Sequence, residues 1–331
     1  RKRLLLEEDL QNPRKQLRVR VQQNPHKKSQ KSQKSKLQSF PMTEDRASYE
    51  LGQNIWLIRG QELHLDTPLI MGILNVTPDS FSDGGQFIDP SKAIARAHAM
   101  LSEGADIIDV GGESTRPGSL PVDAIEEISR VVPVIEELTS HADVIISIDT
   151  QKSSVAKAAL DAGAHIVNDA SAGGGDHEMF ELVSASGAGY ILMHMQGKPE
   201  TMQDAPAYGD VLEEVNEYFF ERLQAATKAG IAGRQIVFDP GIGFGKTLSD
   251  NLKLIGNIHS MTELMRPIML GASRKSFIGL IDNSPIDKRL GGSLAAVISA
   301  HQQGVRLFRV HDVAETRQVL DIFTAIQKHS D

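Results

Sequence analysis

The sequence predicts an α/β protein, a (β/α)8 (TIM) barrel, and three observations carry that reading. Eight apolar runs alternate with amphipathic stretches over about 260 residues, the count and length of such a barrel. The runs are apolar almost throughout, as strands are in a parallel sheet covered on both faces. No GxGxxG or GxxxxGK[ST] loop follows the first run, where a doubly wound open sheet, the runner-up architecture, would carry its phosphate site.

Taken in order, residues 1–41 stand apart. They hold 12 Lys/Arg against 3 Asp/Glu, and 22–36 are almost wholly Gln, Lys, Ser, Asn and Pro, too polar to bury a core. We read them as a disordered basic extension, with Met42 as the natural start and 42–331 as one folded domain. A transit peptide and a nucleic-acid-binding arm are weaker readings, and Glu7, Glu8 and Asp9 argue against the first. Residues 54–58 and 62–66 flank Arg59 and Gly60 as a small hairpin. Strands follow at 69–75, 106–111, 144–149, 165–169, 189–194, 236–240, 267–271 and 306–311. Amphipathic helices fall at 90–103, 121–140, 152–162, 176–186, 209–229, 249–260, 288–303 and 312–328. Gly104, Gly163, Gly187 and Gly230 close four of them, where left-handed backbone suits glycine.

Composition narrows the function. Outside the extension, 23 Lys/Arg face 40 Asp/Glu, so the body is acidic and unsuited to general nucleic-acid binding. The chain has no cysteine, which excludes disulfides, thiolate catalysis and zinc–thiolate sites and fits a reducing, cytoplasmic setting. No apolar run approaches the ~20 residues of a membrane span.

In a barrel the carboxyl ends of the strands surround one mouth. Here those ends are Asn75, then Asp109 with residues 111–116, Asp149, Asn168 with Asp169, and His194. Asp239, the run Ser273, Arg274 and Lys275, and Arg309 with His311 complete the ring. Any one of these has a plainer role as a helix cap, rim ion pair or packing residue. Together they form a set of acceptors, donors and cations without Ser–His–Asp or His/Cys spacing. Such a set suits a polar heterocycle beside an anion. Asp239 and Asn168 can read the donor and acceptor edges of a flat ring. Arg309, His311 and Arg116 can take a phosphate or diphosphate, and Asn75 can orient a Mg²⁺ held mainly by phosphate oxygens.

The chain resembles the dihydropteroate synthases, from about 56 to 326. The resemblance rests on MGILNVTPDSFSDGG at 71–85, DVGGESTRPGS at 109–119, SIDT at 147–150 and AGAHIVNDASAG at 162–173. It continues through MHMQGKPETMQ at 193–203, DPGIGFGKT at 239–247, LGASRKSFIG at 270–279 and FRVHDV at 308–313. It implies condensation of 6-hydroxymethyl-7,8-dihydropterin diphosphate with 4-aminobenzoate, giving 7,8-dihydropteroate and diphosphate in folate biosynthesis, in an enzyme targeted by sulfonamides. By motif position, Asp149, Asn168, Asp239 and Lys275 would hold the pterin, with Met193 and Phe244 packed near it. Asn75, Arg309 and His311 would bind diphosphate, with Mg²⁺ at Asn75. Phe81, Thr115, Arg116, Pro117, Ser273 and Lys275 would frame the aminobenzoate, and Arg274 would pack or line the way in. Asp149, Asp239, Lys275 and Arg309 would carry catalysis, the two carboxylates steadying a cationic methylene as diphosphate leaves. The loops at 77–85 and 111–119 would be mobile lids, and helix 289–303 a homodimer face. A pterin-binding methyltransferase and a pterin-binding paralogue without activity are the rival readings.

Overall fold

The computed structural model describes residues 54–77, 90–114, 119–141, 144–198 and 201–329, all within one compact unit, Ala47–Asp331. The extension at 1–41 lies outside the described residues, as do Phe81, Thr115, Arg116 and Pro117.

A hairpin of β1 (Ile55–Ile58) and β2 (Gln61–His64) precedes the barrel. The barrel strands are β3 (Leu69–Asn75), β4 (Ile107–Gly111), β5 (Ile145–Asp149), β6 (Ile166–Asp169), β7 (Gly189–Met193), β8 (Ile236–Asp239), β9 (Met269–Leu270) and β10 (Leu307–Val310). They pair in parallel in the order β8-β7-β6-β5-β4-β3-β10-β9. A single parallel bridge between Phe238 and Ile268 joins the two ends of the sheet. Helices α1 (Pro90–Ser102), α2 (Ala124–His141), α3 (Ser153–Asp161), α4 (Met179–Ser186), α5 (Val211–Lys228) and α6 (Leu248–Gly256) alternate with the first six barrel strands. After β9 come α7 (Ser276–Asp282) and α8 (Leu290–Gln302), and α9 (Val313–Lys328) follows β10. The expected alternation is present, but α7 was not expected. Its seven residues are too few to show a helical period, and Gly279 interrupts them.

Side chains of a strand alternate between its two faces. The face that carries Ile107, Asp109 and Gly111 on β4 carries Ile145, Ser147 and Asp149 on β5, and Leu307 and Arg309 on β10. On that face β3, β4, β5, β6, β8 and β10 are apolar at the amino end and polar or glycine at the carboxyl end, while β7 ends in Met193. The apolar layer forms a core of Met71, Ile107, Ile166, Ile191, Val237, Met269 and Leu307, closed by Trp56, Ile58 and Leu65 from the hairpin. A Cβ at Gly189 would stand 2.5 Å from Ile58 Cγ2, so only glycine lets β7 start against the hairpin. Trp56 is fully buried and its indole nitrogen donates to the Gln235 carbonyl at 2.7 Å, so the plug costs no unsatisfied donor. With the amino end sealed, the polar layer is left at the opposite mouth.

Candidate active site

Ladder register assembles the first part of the site. Asn75 is level with Gly111, Gly111 with Asp149, and Asp149 with Asn168, so one row crosses four strands. Met193 and Asp239 are level on β7 and β8. Gly111 leaves room in the row: a Cβ there would lie 3.7 Å from Asn75 Oδ1 and 3.8 Å from Asp149 Oδ2.

Arg309 ties the row from below. Its Nε donates to Asp109 Oδ2 at 2.6 Å and its Nη2 to Asp149 Oδ2 at 2.6 Å. Asn168 Nδ2 also donates to Asp109 Oδ2, at 3.1 Å. Burial pushes the Asp149 carboxyl up to about 7, against the pull of Arg309, and Asp109, Glu127 and Asp169 push it further. The Arg309 guanidinium stays charged: burial disfavours it, but Asp109 and Asp149 hold it above its ordinary value. Asp239 is 4% exposed and accepts from the Gly241 N–H at 2.8 Å. Burial raises its carboxyl, with Lys275 the largest opposing influence.

Lys275 sits where β9 leads into α7. Its amine donates to the Ile242 carbonyl and stands 4.2 Å from the centre of the Phe244 ring. Burial lowers it to about 8 while Asp239 pulls it back up. Ser273 Oγ accepts from the His311 N–H at 3.2 Å and lies 3.0 Å from His311 Nδ1, so these two form one unit on the β10 side. Arg274 is turned away into structure: its guanidinium pairs with Asp312 and its N–H donates to Ser293 Oγ at 2.9 Å. Its left-handed backbone, φ 58°, matches a tight turn held on both sides.

Three neighbours carry weight that the sequence reading did not give them. Asp109 appeared only as a strand end, yet it shares Arg309 with Asp149, and its Oδ1 is a buried acceptor without a partner among the described residues. Asp169 is fully buried and accepts from Ser171 N and Oγ, Gly173 N and Tyr190 Oη, each at 2.7 Å. Lys246 appears in the sequence only inside the motif at 239–247, with no role given to it, yet it is 3% exposed and contacts His194. For Asp109 and Asp169 the available signal was a charged residue inside or ending an apolar run, which has to be paired; Lys246 lies in a glycine-rich turn and carried no such signal.

A cavity of about 460 Å³ opens beside Asp149, lined also by Glu113, Glu127, Lys152, Ser171 and Tyr218. It lies on the β4–β7 side and shares only Asp149 with the candidate set. Among the described residues no group of three or more His, Cys, Asp or Glu could hold a metal. The amide oxygen of Asn75, 3.7 Å from where a Cβ on Gly111 would stand, is a hard donor of the kind that fits a Mg²⁺ brought largely by phosphate oxygens.

Fold and site thus define a parallel barrel whose mouth gathers buried carboxylate, amide and lysine groups beside an arginine and a histidine. Residues 71–311 match the family described as pterin binding enzyme. The dihydropteroate synthase of Escherichia coli (strain K12) is 45% identical over 267 residues, 81% of this chain and 94% of its own length. The Yersinia pestis dihydropteroate synthase, solved as a sulfonamide drug complex, superposes with a TM-score of 0.78 at 42% identity, over 83% of this chain and 99% of that one. A Xanthomonas albilineans dihydropteroate synthase in complex with 7,8-dihydropteroate gives 0.73 at 41%, over 81% and 97%. The chain belongs to the pterin-binding enzymes and, among them, to the dihydropteroate synthases, transferases of folate biosynthesis.

Proposed function

We propose that the chain joins 6-hydroxymethyl-7,8-dihydropterin diphosphate to 4-aminobenzoate, with Asp149, Asn168, Asp239 and Lys275 on the pterin and Met193 and Phe244 packed against it. The convergence of Asn75, Asp149 and Asn168 in one row, tied by Arg309, carries this reading. The ring edge meets two carboxylates and an amide, and the exocyclic methylene comes to rest near fixed negative charge. Diphosphate departs toward Asn75, Arg309 and His311, which supply an amide, a permanent cation and an imidazole. As the C–O bond breaks, the electron-rich dihydropterin carries the positive charge left on the methylene, and Asp149 and Asp239 favour it electrostatically. The aromatic amine attacks that carbon and then loses a proton, so no strong general base is required. Phe81, Thr115, Arg116, Pro117 and Ser273 would frame the aminobenzoate. Bound Mg²⁺ would neutralise diphosphate charge, with Asn75 as its protein contact.

We place the reaction in the cytoplasm, in keeping with a chain without cysteine. Among the described residues no helix is long and apolar enough to cross a membrane. We also propose a homodimer through the helix at 289–303, α8; Leu280, Ile281 and Ile286 in the segment leading into it are each exposed. The test is turnover with dihydropterin diphosphate and 4-aminobenzoate, with and without Mg²⁺. Diphosphate release without dihydropteroate would reduce the role to hydrolysis or binding.

A further inference from the structure

The turns that follow β7 and β8 are pressed together backbone to backbone. A Cβ on Gly241, at φ 63°, would fall 1.9 Å from the His194 carbonyl oxygen. Beneath that contact lies the buried amine of Lys246. It donates to the His194 carbonyl at 3.2 Å and the Phe244 carbonyl at 3.0 Å, and it stands 2.9 Å from His194 Nδ1. The same glycine-rich turn presents the Ile242 carbonyl and the Phe244 ring, the two groups that hold the Lys275 amine. We propose that Lys246 is a positioning residue for the pterin pocket: its amine clamps the two turns and so fixes Phe244 and Lys275 for the ligand. This rests on the assignment of Phe244, Lys275 and Asp239 to the pterin.

The donor count favours the charged form of the clamp. An ammonium has three N–H donors, and three acceptors are offered: two carbonyls and a ring nitrogen. His194 is neutral, its imidazole pushed down to about 3 by burial and by Lys246, so Nδ1 can accept. Its ring packs edge-on to Tyr218 of α5, and Tyr208 lies against it. Lys246 is itself lowered to about 7 by burial; Asp239 and Asp250 of α6 oppose this and Lys275 adds to it. Deprotonation leaves two donors for three acceptors, so the clamp loosens as pH rises through the neutral range.

The experiment measures dihydropterin diphosphate binding by calorimetry, and 4-aminobenzoate KM at saturating pterin, for wild type, Lys246→Met and, as control, Asp239→Asn. Lys246→Met weakens pterin binding about tenfold, one net hydrogen bond's worth, and raises aminobenzoate KM by clearly less, because Lys275 is the one aminobenzoate candidate that the clamp positions. Lys246→Arg, with its permanent charge, restores part of the loss. In wild type, nitrogen-15 lysine NMR shows the Lys246 amine titrating at higher pH once pterin is bound, because a ligand that prefers the charged form raises its affinity for the proton. Wild-type binding by Lys246→Met, or an unmoved Lys246 titration, overturns the proposal if Asp239→Asn has lost the pterin. Wild-type binding by Asp239→Asn overturns the pocket assignment instead.

Discussion

Arg309 reaches Asp149 across the barrel mouth, Nη2 to Oδ2 at 2.6 Å, although β3 and β4 separate their strands. The guanidinium thereby serves two carboxylates at once, Asp109 being the other. Removing it leaves two buried carboxylates without their cation. Breaking a buried pair from one side costs about 3–5 kcal/mol. Arg309→Met is therefore expected to lower unfolding free energy by about that amount in urea titration and to abolish turnover. A variant as stable as wild type would show that Asp109 and Asp149 are otherwise compensated.

Asp149 gives the pH dependence its sign. Burial lifts its carboxyl to about 7 from 3.8, so the folded protein resists ionising it. A raised carboxyl value means stability is lost as pH climbs from about 4 to about 7, and is constant above that. Turnover runs the other way, because the charge that favours the methylene cation appears only as Asp149 ionises. We expect kcat to rise from about pH 6 to about pH 8, and Asp149→Asn to lose that limb. The same variant should lose turnover far more than pterin affinity, read by pre-steady-state rates beside calorimetry. Equal loss of both would remove the cation-stabilising role.

The Asp169–Tyr190 pair supports the site without entering the proposed chemistry. Tyr190 is fully buried, its hydroxyl donates to Asp169 Oδ2 at 2.7 Å, and burial together with Asp169 holds its phenol well above the ordinary value. Asp169 in turn anchors the turn at Ser171 and Gly173 beside the cavity. Tyr190→Phe removes one hydrogen bond to a charged group, an expected loss of about 1.5–3 kcal/mol in urea titration. Because three other donors remain on Asp169, kcat should stay within about twofold.

The barrel was legible because its strands are apolar runs of the right number, and the strand-end polar residues gave the mouth. The pairing inside the mouth was not. Asp109 sits in the middle of the run Ile107–Gly111, and nothing local says that its partner is Arg309, 200 residues away. The same holds for Lys246, whose acceptors are backbone carbonyls and a ring nitrogen, groups that carry no pattern in a sequence. The α7 helix escaped because seven residues around Gly279 show no period, although Asn283 at φ 61° caps it in the way a glycine would.

Asn75 is the place to test the metal. It ends β3 level with Gly111, and its amide oxygen lies 3.7 Å from where a Cβ on that glycine would stand. One neutral oxygen cannot hold Mg²⁺ alone; the ion prefers several waters and phosphate oxygens in octahedral geometry. The protein contact then matters most when Mg²⁺ is scarce. Chelation with EDTA should depress turnover, and excess Mg²⁺ should restore it. Asn75→Ala should shift the Mg²⁺ concentration for half-maximal rate upward by about tenfold, the low end for a lost supporting contact to a metal. It should also raise KM for dihydropterin diphosphate while sparing 4-aminobenzoate. An unchanged Mg²⁺ requirement in Asn75→Ala, with KM for the diphosphate raised, would move Asn75 from the metal to the diphosphate itself.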